Sequence, residues 1–260
     1  MHMKHFSKFK PFKPMAPSGQ RLYAVGDVHG CVTLLDGLLA RIEQDNRERQ
    51  TADVTLILLG DLIDRGPASR DVVSRIRTGV SWARTIALMG NHEALMLDSL
   101  DGKRIELESW LRFGGRETLE SWGVPRATLD QGTLSDIICA AQAAVSAEER
   151  GWLGRMRHNL RIGDYFFVHA GVKPGIPLDR QTADDCLWIR DEFLKSSRKH
   201  GAVIVHGHSI RKEVETRFNR IGLDTGAYLT GRLTAVGIEG SDHWFMSTQD
   251  DASDTIRKAT

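Results

Sequence analysis

Five short apolar runs in this 260-residue chain stop at a glycine-flanked Asp, Asn or His. Residues 21–25 (RLYAV) run into GDVHG, and residues 54–59 (VTLILL) run into GDLIDRG. Residues 85–89 (TIALM) lead to GNHE, 165–168 (YFFV) to HAG, and 202–205 (AVIV) to HGH. A short apolar run bounded by turn residues reads as a buried strand. One such ending is an ordinary turn, because Gly accepts φ > 0 and Asp suits turns. Five in order are read differently. Sites in sheet-and-helix folds gather beyond the carboxyl ends of strands. The repetition of ligand-type residues there points to a metal site.

Helical patterns separate the strands. Leu34, Leu35, Leu38, Leu39 and Ile42 share one helix face, which ends in the charged run Glu43 to Arg49. Pro67 suits a helix start, with Val72, Val73 and Ile76 turned inward. The chain from about His92 to Arg157 reads as mostly helical, and residues 101–160 are expected to frame a cleft. Trp110 and Trp122 in that region read as helix packing. Ile221 to Trp244 reads as antiparallel strands with turns at Thr225-Gly226 and Gly240-Ser241. Residues 1–20 are expected to form a loose basic arm, 21–247 a single domain and 248–260 a polar tail. Periodicity alone establishes an α/β class.

Composition excludes several roles. With a net charge of +1 there is no overall basic field for nucleic acid or anionic membrane. No apolar run approaches the ~20 residues of a membrane span, and the first residues lack the apolar core of a secretory signal. Cys31, Cys139 and Cys186 are widely spaced without a CxxC, which argues for a reducing, cytoplasmic compartment and against a disulfide framework. Cys31 reads as a packing residue.

Oxygen ligands mixed with imidazole suit Mn, Fe or Zn. The candidates outnumber what one tetrahedral ion uses. Two ions about 3.5–4 Å apart, sharing a carboxylate, are the arrangement for in-line displacement at phosphorus. No GxxxxGK[ST] nucleotide loop is present.

GDVHG, GDLIDRG, GNHE, HAG and HGH, in this order, resemble the calcineurin-like metallophosphoesterases. GDxHG, GDxxDRG and GNHE together are similar to the phosphoprotein phosphatases, with the short chain most like bacterial and phage members. RFGGRETLESWG, from Arg112, and NRIGLDTGAYLTGRLTAV, from Asn219, resemble the same members. The resemblance spans about residues 21–240. It implies a central β-sandwich of two mixed sheets flanked by helices. It implies that Asp27, His29 and Asp61 hold one of two divalent ions, Mn above all, with Fe or Zn as alternatives. Asp61 would bridge, and Asn91, His169 and His208 would complete the second. His206 would be a neighbour of the site, although its residue type also allows a ligand.

The resemblance further makes His92 the general acid, oriented by Asp64, and Arg65 and Arg190 the grips on phosphate, joined by Asn91. Asp224 and Glu93 read as supporting residues. The implied reaction is in-line attack of a metal-bridging hydroxide on a phosphoserine or phosphothreonine protein. A symmetrical dinucleoside polyphosphate hydrolase is the alternative. Its members usually carry another residue where Asp64 stands. A non-catalytic binding protein on this fold would normally have lost a ligand or the acid, and a nuclease would show a basic stripe.

Overall fold

Side chains alternate between the two faces of a strand, and β1 (Gln20–Val25) buries both. Leu22 and Ala24 pack against Phe167, Val205 and Ile221 of a second sheet. Tyr23 and Val25 turn the other way and pack with Leu35, Leu38 and Ile42 of a helix. The computed structural model describes residues 13–249.

After β1 come β2 (Asp53–Leu58), β3 (Arg84–Ala87), β4 (Asn159–Ile162), β5 (Tyr165–Val168) and β6 (Val203–His206). They are followed by β7 (Glu215–Arg217), β8 (Arg220–Gly222), β9 (Thr234–Glu239) and β10 (Asp242–Ser247). One sheet has the order β10-β9-β1-β2-β3 and the other β4-β5-β6-β8-β7. Both are mixed: β1, β2 and β3 run parallel, as do β5, β6 and β8, while β9 pairs antiparallel with β1 and β10, β4 with β5 and β7 with β8. The sheets face one another across a shared apolar core, which makes the β-sandwich. The parallel central strands carry their carboxyl ends, and the motif loops, to one edge.

Helices cover the outer faces. α1 (Val32–Glu48), α2 (Ser69–Thr78) and α3 (Asn91–Leu100) alternate with the first strands. A helical region follows: α4 (Arg104–Trp110), α5 (Arg116–Ser121), α6 (Arg126–Gln131), α7 (Leu134–Ala144) and α8 (Ala147–Leu153). Between α4 and α5 the chain makes a wider turn, kinked at Gly114, whose φ is 113°. α9 (Ala183–Trp188) and α10 (Asp191–Leu194) pack on the second sheet, and α11 (Ala227–Thr230) precedes β9. None of the helices described is long and apolar enough to cross a membrane.

Two expectations are corrected. The part of the arm that is described, residues 13–19, is tied down. Ala16 is buried and donates its N–H to Gly240, while Met15 exchanges hydrogen bonds with Asp164. Ala16 joins the apolar core between the sheets, which the Lys and Pro content of the arm did not reveal. Residues 1–12 of the arm, and 250–260 of the polar tail, lie outside the described residues. The stretch 221–244 is also not simply antiparallel, because β8 pairs parallel with β6. Gly226 opens α11 rather than a hairpin turn, which β9 and β10 supply at Gly240-Ser241. An apolar run does not encode its partner's direction.

Phe167 is fully buried between the sheets. Phe167→Ala should cost about 3–5 kcal/mol of stability, since the rigid sandwich cannot close over the cavity. Urea denaturation should show this as a lower midpoint.

Candidate metal centre

The backbone at the strand ends is bent into an unusual shape. Among the described residues, the only non-glycine residues with positive φ are His29 (47°), Asp61 (48°), Asp64 (74°), Arg65 (68°) and His208 (63°). Every one belongs to a motif loop. Left-handed backbone costs a residue with a Cβ about 1–3 kcal/mol. Here it turns successive side chains inward. Glycine is required where two loops touch: a Cβ on Gly90 would come within 2.2 Å of the Asp61 nitrogen.

Glu93 holds this shape. It is fully buried, and its carboxylate accepts the backbone N–H groups of Asp61 (2.9 Å), Leu62 (2.7 Å), Ile63 (3.2 Å) and Gly90 (2.9 Å). Burial and the neighbouring Asp61 push its pKa up to about 7.

Asp61 lies at the centre. Its Oδ1 is 3.3 Å from His169 Nε2, and its Oδ2 is 3.6 Å from His29 Nε2 and 3.8 Å from His92 Nε2. One carboxylate thus faces two groups, His29 with His92 and His169 with His208. His29 Nδ1 donates to the Ile63 carbonyl and His169 Nδ1 to the Leu59 carbonyl, at 2.8 and 3.0 Å. With Nδ1 so engaged, the Nε2 atom of each ring is the one that faces Asp61.

The second group tests whether a cation fits. His169 Nε2 faces Asn91 Oδ1 at 2.9 Å and His208 Nδ1 at 3.1 Å, besides Asp61 Oδ1. The oxygens have no proton to give, and one ring proton can serve only one of these contacts. A divalent cation satisfies all four atoms at once. Charge agrees. Burial and repulsion from Asp224 and Asp61 hold the Asp27 carboxyl well above the usual range, and burial lifts Asp224 to about 6. Burial lowers His29 to about 3 and His208 to about 2, the neutral state that a metal requires. Buried carboxylates crowded around one another need positive charge.

The expected residues divide as follows. His29, Asp61, Asn91, His169 and His208 converge. Asp27 is in neither group: its carboxylate accepts the backbone N–H of His208, at 2.9 Å to the nearer oxygen. His92 stands beside His29 in its place. His206 turns away, donating Nδ1 to the Gly207 carbonyl and packing on Phe193 at 5.1 Å. Cys31 is half-buried, with its thiol directed at the His29 carbonyl.

His92 Nδ1 is 2.5 Å from Asp64 Oδ2. Burial opposes charge on this ring, but Asp61 and Asp64 outweigh it and its pKa is raised. Arg65 reaches across the loop, with Nη1 3.1 Å from His29 Nε2 and Nη2 3.2 Å from His92 Nε2. The Tyr228 ring lies 4.7 Å from the guanidinium carbon, and sequence reasoning missed it. Arg190 is exposed ahead of α10, close enough for its charge to bear on His208. Trp110, expected only to pack, also donates its indole N–H to Asp64. Nothing local marks that contact, which spans 46 residues of sequence.

A family model described as calcineurin-like phosphoesterase matches residues 20–230. The chain is 29% identical over 224 residues to serine/threonine-protein phosphatase 2 of Salmonella typhimurium, covering 83% of this chain and 91% of the relative. It is 33% identical over 162 residues to the symmetrical bis(5'-nucleosyl)-tetraphosphatase of Paracidovorax citrulli, covering 61% of this chain and 46% of that one. Its fold is similar to that of a cold-active protein tyrosine phosphatase, with a TM-score of 0.59 at 17% identity over 90% of this chain and 79% of the other.

Glu93→Ala strands four buried N–H groups. At about 1–3 kcal/mol for each unsatisfied group, it should destabilise the protein by several kcal/mol. Urea denaturation of metal-free protein checks this. Glu93→Gln, which keeps one acceptor oxygen, should lose less.

Proposed function

The chain belongs to the calcineurin-like phosphoesterases and is a metal-dependent phosphatase, and we propose that it hydrolyses phosphomonoesters on serine and threonine side chains of proteins. The observation that carries this reading is the buried Asp64–His92 pair beside the metal-ligand cluster. A serine or threonine alkoxide is a poor leaving group and needs a proton. A nucleoside diphosphate leaves as a stable anion and needs none. An oriented acid histidine is therefore best used on an alcohol ester.

His29, Asp61, Asn91, His169 and His208 are the residues that would hold two divalent ions, with Asp27 alongside. Bound there, such ions would activate water and neutralise phosphoryl charge. Manganese is our choice, since the donors are oxygen and imidazole. The rest is the chain's own work. Arg65 presents two parallel N–H groups, a fork that suits phosphoryl oxygens, and Tyr228 supports its plane. Arg190 adds positive charge near His208. Asp64 keeps the His92 ring turned so that Nε2 faces the reacting group. As the ester P–O bond breaks and a water oxygen bonds to phosphorus, Nε2 gives its proton to the departing alkoxide. The unpaired cysteines suit a reducing cytoplasm.

The tetraphosphatase relative, 33% identical over its matching part, supports the second reading: a dinucleoside polyphosphate substrate. A side-by-side assay with Mn decides. The kcat/KM on phosphothreonine peptide should exceed that on diadenosine tetraphosphate, and the reverse order would promote the second reading. His92→Asn should retain about two bound divalent ions per chain, read by elemental analysis. It should also lower kcat on the peptide by about 10²–10⁴. Loss of an ion in that variant would make His92 a ligand instead.

A further inference from the structure

Asp64 has no exposure to solvent, and its carboxylate is gripped from the helical region rather than from its own loop. Trp110, at the end of α4 and itself fully buried, donates its indole N–H to both oxygens, at 3.0 and 2.9 Å. Thr118, in α5, donates its hydroxyl to Oδ1 at 2.5 Å and accepts the Asp64 backbone N–H at 2.9 Å. Ser69, in α2, accepts the same N–H at 3.0 Å and lies 3.1 Å from the Thr118 hydroxyl. Oδ2 also meets His92 Nδ1.

We propose that Trp110 and Thr118 are positioning residues for proton transfer, fixing the plane of the Asp64 carboxylate so that the His92 ring is held for its leaving group. This rests on the reading of His92 as the acid. A carboxylate turns freely about its last bond unless both oxygens are tied. With one donor removed, it can follow the imidazole instead of steering it. The geometry around the kink argues for this use of the helical region. Gly114 accepts the Arg65 backbone N–H at 3.4 Å, so the turn between α4 and α5 lies directly on the Asp64–Arg65 backbone. A Cβ on Gly115 would meet the Trp110 ring at 2.6 Å. The indole is therefore seated against backbone, with little room to swing away from Asp64. One kinked pair of helices thereby sets both the partner of the acid and the backbone of the phosphate grip.

The step that depends on it is balanced as follows. The ester P–O bond breaks and its electron pair goes to the leaving oxygen. A water oxygen forms the new bond to phosphorus and releases a proton to solvent. His92 Nε2 gives one proton to the leaving oxygen and regains one from solvent.

Trp110→Phe removes the indole N–H but keeps an aromatic ring. Thr118→Val removes the hydroxyl at nearly constant shape, and Thr118→Ser keeps it. Each is assayed as Mn-loaded full-length protein on phosphothreonine peptide and on 4-nitrophenyl phosphate, whose leaving group departs without a proton. His92→Asn is run alongside. Trp110→Phe and Thr118→Val should lower kcat on the peptide by about 10–100-fold, as loss of an orienting partner does elsewhere. The loss on 4-nitrophenyl phosphate should be several-fold smaller, the defect should fall on kcat rather than KM, and Thr118→Ser should recover most of it. Equal losses on both substrates, or none, overturn the inference while His92→Asn still discriminates between them. If His92→Asn also loses equally on both, the acid reading falls and this inference with it. Should Trp110→Phe fold poorly, the Thr118 pair decides alone.

Discussion

The centre depends on one buried carboxylate that binds nothing but backbone. Glu93 lies in the first turn of α3 and gathers amides from the helix N-terminus and from the loop after β2. Those amides have no strand partner, because the loop has left the sheet. Glu93 satisfies them and so converts the loop after β2 into a rigid mount for Asp61. The arrangement places a second negative group beside Asp61, which is why the Glu93 carboxyl is pushed up to about 7.

Strain and charge point the same way. Among the described residues, five non-glycine residues take left-handed backbone, and all five lie in the motif loops. At about 1–3 kcal/mol each, this is a large fraction of a domain's net stability. The sheets on either side hold the loops, since β1, β2, β5 and β6 are buried along most of their length. Left-handed turns let short segments aim consecutive polar groups at a common point. The cost is accepted where geometry matters to chemistry, and the rest of the described backbone keeps positive φ for glycine.

The helical region contributes more than a wall. It supplies Trp110 and Thr118 to the Asp64 carboxylate and Gly114 to the Arg65 backbone. Arg65 in turn lies between His29 and His92 and rests on Tyr228 from the far end of the chain. Four distant segments thus meet on one loop. The chain is similar both to a serine/threonine-protein phosphatase and to a symmetrical bis(5'-nucleosyl)-tetraphosphatase.

By itself the sequence determined the strand ends and the residue types gathered there, because an apolar run closed by glycine is a local signal that needs no partner. His29, Asp61, Asn91 and His169 stood out as candidates for that reason, while the choice of His208 over His206 came from the resemblance. The α/β class was legible from alternating patterns, while the sandwich came from resemblance. Period-two alternation tells which residues share a face but not which sheet that face meets. Only the tertiary structure decided that β8 runs parallel to β6 and that residues 13–19 are tied between Gly240 and Asp164. It also decided that Asp27 faces the His208 backbone and that Trp110 serves Asp64. Each of these joins groups at least 16 residues apart, and a hydrogen bond across such a gap leaves no periodic trace in either segment. Those contacts exist only once the two sheets have closed on their common core.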